Sequence, residues 1–181
     1  MKNPALKLFV YFALLCFVPG SIVYLLLYAI MPGNYVFGYL FLMFCYHFQH
    51  PFQYIAVVAV TYAIIATAFA LKWPDIMGWH RRLLIFGIMI STIIVASVPG
   101  GVLWKIHDMQ EGFIPAGSKL WADLGWGALT GLEIGWLIVA LSIPYNIIGL
   151  ILGYFVTKNG FKMAAAGRKQ DYVEEIGTPD I

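Results

Sequence analysis

Charge is what this chain has least of. Asp, Glu, Lys and Arg make up 11% of its 181 residues and hydrophobic residues 61%, against roughly 25% and 45–50% in an ordinary soluble domain. A water-soluble fold of this length cannot hide so much apolar surface in its core, so lipid must be the solvent for much of it. Cysteine is nearly absent. Cys16 and Cys45 both lie in apolar runs, outside any CxxC or Cys/His spacing. A thiol–disulfide centre or a zinc ribbon is thereby disfavoured, and the two read as small buried hydrophobes. Also missing are a phosphate-binding glycine loop, a nucleophile elbow, a paired-histidine zinc motif and a dinucleotide fingerprint. The VPGG at 98–101 is too short to cradle a phosphate. A net charge of +2 is too small to point to nucleic acid.

What is present is apolar length and aromatic rings. Aromatics reach 17%, with six Trp and eleven Tyr, which suits rings at two headgroup levels. Four charge-free stretches are long enough to cross a bilayer, which takes about 20 residues. They are Leu8 to Ile30, Gln53 to Leu71, Leu83 to Trp104 and Trp136 to Val156. Pro19 and Pro144 fall within their spans and predict kinks there. Lys2 and Lys7 precede the first span. That span exceeds the roughly 7–15-residue core of a signal peptide and lacks a small-residue cleavage site, so it reads as a retained anchor.

Two further segments are ambiguous: Asn34 to Pro51, apolar and aromatic, and Leu120 to Gly135, which holds four glycines with Asp123 and Glu133. Basic residues favour the cytoplasmic side. If neither segment crosses and the N-terminus is inside, every Lys and Arg except Lys105 and Lys119 is cytoplasmic. If only the first crosses, most of them fall outside; if both cross, the inside excess is kept. The predicted fold is therefore all-α, a polytopic membrane protein of four transmembrane helices with six as the alternative. In the four-helix reading both ambiguous segments are outer-side interfacial or re-entrant elements, because a crossing Leu120–Gly135 would carry two acidic groups. A charge at the bilayer centre costs at least about 2.5–3.5 kcal/mol. Residues 1–166 form the transmembrane domain, with both termini cytoplasmic, and 167–181 a polar, disordered tail. Val-Pro-Gly recurs at 18–20 and 98–100 with basic residues before each copy, as in duplicated halves, although three matching letters also arise by chance in so apolar a chain.

Few side chains carry chemistry. His47 and His50 share a helical face, a spacing that can hold a metal or face a haem; the plainer reading is an interfacial cluster bonded to water and headgroups. His107 and Glu111 lie one helical turn apart with Asp108 between, and an imidazole beside a carboxylate can act as base and acid or bind a cation. The plainer reading is a polar loop. Glu133, between Gly131 and Gly135 and just before the fourth span, is either an intramembrane carboxylate marking an ion or substrate path, or an interfacial one reaching water. Gly127, Gly131 and Gly135 have the small-xxx-small spacing of close helix packing.

No motif here names a reaction. The expectation is a multi-pass, non-enzymatic membrane subunit or accessory protein, in a cell membrane and associated with transport. It would bind a small solute, another membrane protein or a second copy of itself. One alternative is a membrane-embedded enzyme acting on a lipid-linked or outer-face substrate through His107, Asp108, Glu111 or Glu133. Another is a haem-binding redox protein ligated by His47 or His50.

Overall fold

The computed structural model describes residues 3–30, 51–115, 119–137 and 144–176, with side chains to 168. These form α1 (Pro4–Ile30), α2 (Pro51–Lys72), α3 (Gly78–Gln110), α4 (Leu120–Thr130), a π-helical turn (Gly131–Gly135) and α5 (Tyr145–Ile176). No strand occurs among the described residues. Positions 31–50, which include Cys45, His47 and His50, lie outside them, so only Pro51 of the first ambiguous segment is described.

Three helices, α1, α2 and α3, are long and apolar enough to cross a bilayer. They coincide with the first three predicted spans. Of the fourth, Trp136 and Leu137 are α-helical after the π turn, 138–143 lie outside the described residues, and α5 begins at Tyr145. Among the described residues the count of four is therefore not confirmed. Only 11% of the apolar window of α1 is buried, and Leu14, Leu26 and Ile30 are exposed. Such a surface fits a lipid environment far better than water.

Local chemistry sets the helix ends. Asn3 Oδ1 accepts the N–H of Ala5 at 2.9 Å, capping α1 ahead of Pro4. Pro51 opens α2 in the same favoured position. Pro19 lies inside α1 and Pro99 inside α3, whereas Pro144 stands at the start of α5 and accepts the Ile148 N–H at 3.1 Å. The residues before Pro144 lie outside the described ones, so the kink expected there is not tested. α3 runs beyond its apolar stretch to a Schellman ending: Gly112, at φ 77, donates to Met109 O, and Phe113 donates to Asp108 O at 2.9 Å. α5 continues as helix past Gly167 to Ile176, across the start of the segment expected to be a disordered tail.

α1 and α2 pack antiparallel, with Phe12 edge-on to Tyr62 at 5.6 Å and Tyr24 edge-on to Phe52 at 6.1 Å. α5 runs antiparallel to α1: Tyr145 donates to Gly20 O at 3.1 Å, and Tyr11 donates to Val156 O at 3.3 Å. Arg168 pairs with Asp75 at 3.1 Å, fastening α5 to the α2–α3 link. The start of α1, that link and the second half of α5 therefore share one end of the bundle, with Lys7, Lys72, Arg82, Lys158 and Lys162 on it. The core nearest this end holds Phe12, Ile85, Ile88 and Phe161. Fully buried Ala63, Ala66 and Ala70 let the neighbouring helices approach α2 closely. Alongside them Tyr62 and Thr157 share a 2.7 Å hydrogen bond.

Candidate functional site

At the end opposite the basic residues, the last turns of α3 carry three of the candidate residues. Lys105 and Asp108 form a 3.7 Å ion pair. His107 is buried, at 7% exposure, while Glu111 caps the helix and is exposed. Their spacing sets them one turn apart, yet one ring is enclosed and the carboxylate faces out.

Glu133 is elsewhere. α4 and the π turn run antiparallel to α3 in close backbone contact. A methyl on Gly127 would meet Lys105 Cγ at 2.6 Å and Gly101 O at 2.7 Å; one on Gly135 would meet Ser97 Cβ at 2.9 Å. One on Gly131 would collide with Ser97 O. Glu133 thus stands level with residues 97–101 of α3. At 1.5 Å per residue this is about 12 Å along the axis from His107, and about 8 Å inside the apolar stretch that ends at Trp104. Two residues from each contact glycine, it falls on the face away from α3 and is exposed. Its side chain makes no ion pair or hydrogen bond among the described residues. Its backbone carbonyl accepts the Trp136 indole N–H at 3.0 Å. The geometry therefore does not unite His107, Asp108 and Glu111 with Glu133. Among the described residues no three of His, Cys, Asp and Glu gather as a metal site would need.

A cavity of about 150 Å³, partly open to the surroundings, lies among α1, α2, α3 and α5. Cys16, Pro19 and Gly20 of α1 line it, with Ile55, Val58 and Tyr62 of α2, Met89 and Thr92 of α3, and Tyr145, Asn146 and Gly149 of α5. Gly20 and Gly149 are among its lining residues, and a methyl at the exposed Gly149 would meet nothing within 4 Å. The hydroxyls in its walls are already bonded. Tyr62 is held by Thr157, Tyr145 by Gly20 O, and Thr92 by Ile88 O at 2.8 Å. No charged residue lines it among the described residues. An apolar cavity of roughly this size takes a benzene-sized molecule in other proteins. The sequence marks Cys16 and Pro19 but not the cavity, because its walls come from four separated helices and carry no motif. No family model matches the chain, and no curated protein or solved structure is significantly similar to it.

Proposed function

We propose that the chain is a multi-pass, non-enzymatic membrane protein that binds a small apolar solute within its bundle. In this reading α1, α2 and α3 cross, the apolar stretch from Trp136 to Val156 that runs into α5 supplies the fourth crossing, and α4 with its π turn descends part-way beside α3. The gathering of Lys7, Lys72, Arg82, Lys158 and Lys162 at one end supports a cytoplasmic position for that end and for both termini. The observation that carries the proposal is the uncharged cavity of about 150 Å³ walled by four helices. Binding is favoured over catalysis because the ionisable candidates occupy different depths and environments.

Photolabelling with a small phenyl diazirine tests it. Labelling at Cys16 and around Gly149 is expected to saturate, and to be competed by excess benzene. In Gly149→Leu, at a residue that lines the cavity, that saturable labelling should fall while labelling of outward Leu14 persists. Labels confined to outward residues, unsaturable in both proteins, would refute the proposal.

Glu133 supports a second reading, association with another membrane protein. An exposed carboxylate within an apolar stretch is costly unless a partner group or water meets it. Under this reading Glu133→Leu removes a co-purifying membrane component without lowering the yield of the chain. Unchanged co-purification, or a wild-type preparation that is monomeric and partner-free, counts against it.

A further inference from the structure

A second groove lies between α3 and α5 at the basic end, with a volume of about 350 Å³. Trp79, Arg82, Leu83, Phe86 and Met89 of α3 line one side, and Leu150 and Tyr154 of α5 the other. The two helices meet closely at Gly153, where a methyl would lie 2.9 Å from Met89 Cε, and the groove lies beside this contact.

The groove is graded. From Trp79 to Met89, α3 advances about 15 Å, passing from an indole and a guanidinium to Phe86 and Met89. α5 repeats the gradient in antiparallel sense, from Lys158 and Tyr154 down to Leu150. Lys158 Nζ stands 6.0 Å from the centroid of the Tyr154 ring, which lines the groove. Phe86 is 56% exposed, so a large apolar surface waits beneath two cations. Neither Arg82 nor Lys158 is in an ion pair among the described residues, and no acidic residue lines the groove there.

We infer that this groove binds one anionic glycerophospholipid from the leaflet at the basic end, its phosphate between Arg82 and Lys158 and its acyl chain over Phe86, Met89 and Leu150. Basic pockets between membrane helices suit such headgroups. A choline headgroup would bring a third cation beside the other two, so charge selects the anionic lipid. The inference requires only that the chain sits in a bilayer, and of the residues around the central cavity it uses only Met89 and Leu150.

Native mass spectrometry of the full chain, delipidated in detergent and supplied with phosphatidylglycerol or phosphatidylcholine, tests it. One phosphatidylglycerol should be retained in preference to phosphatidylcholine. Arg82→Gln with Lys158→Gln should weaken retention by about tenfold to thirtyfold. Lys72→Gln with Lys162→Gln, which removes the same charge from the same end, should leave it nearly unchanged. Equal retention of the two lipids, or equal losses in the two double variants, would overturn the inference. So would displacement of the lipid by millimolar inorganic phosphate, which would indicate an ion site without acyl-chain contact. Size-exclusion profiles confirm that each variant is folded, and diazirine labelling of the central cavity reports on the solute reading separately.

Discussion

Gly131→Val is expected to separate α4 and the π turn from α3 and to destabilise the protein by about 1–3 kcal/mol. The reason is the depth of contact. A Cβ on Gly131 falls on the carbonyl oxygen of Ser97, and a backbone atom cannot rotate aside as a side chain can. One helix must move bodily. Gly127 and Gly135 flank the same seam, so movement at Gly131 loosens contacts at Lys105, Gly101 and Ser97 together. In a membrane, helices associate through close packing of this kind, because lipid already solvates their apolar side chains. Gly125→Ala is the internal control: its methyl would meet nothing within 4 Å, and alanine gains up to about 1 kcal/mol over glycine in a helix. The two substitutions, close together on one helical run, should therefore differ in sign. Unfolding by SDS from a mild detergent reads both, and equal midpoints would mean the seam does not hold α4.

The seam also shows how far the sequence can be read. The spacing of Gly127, Gly131 and Gly135 announces a packing face, but nothing local names Ser97 and Gly101 as its partners. Hydropathy locates α1, α2 and α3 because each stretch is continuous and uncharged. It misses the last turns of α3, where polar Lys105, His107 and Asp108 continue the helix until Gly112 permits the positive φ that stops it. The pairing of His107 with Glu111 follows from helical period, whereas the burial of one and exposure of the other depend on neighbours distant in the chain. His47 and His50 lie outside the described residues, so the haem reading gains nothing from the fold. The central cavity is the least legible feature. It is an absence of side-chain volume among four helices, and a gap of that kind leaves no pattern in any one of them.

The second large effect is expected where α5 meets α1. Gly160→Ala should cost about 1–3 kcal/mol, despite the gain in helix propensity. A methyl there would overlap the ring of Phe12. That ring is fully buried and already set edge-on to Tyr11 at 5.3 Å and to Tyr62 at 5.6 Å, so it has no free rotamer to adopt. Phe12→Leu supplies room but loses aromatic contact. The double variant should then be more stable than the sum of the two single losses predicts, by roughly 0.5–3 kcal/mol of coupling. The same substitution reaches the central cavity. Phe12 presses on Tyr62, Tyr62 is tied to Thr157, and Tyr62 is part of the cavity wall. Gly160→Ala should consequently reduce saturable diazirine labelling near Gly149, although residue 160 does not line the space, and Phe12→Leu should restore part of it. Wild-type stability together with unchanged labelling would mean that α5 does not dock on α1 through Phe12. The pocket of the proposed solute site would then lose one of its walls, which makes this contact the point where stability and the proposed binding are tested by one change.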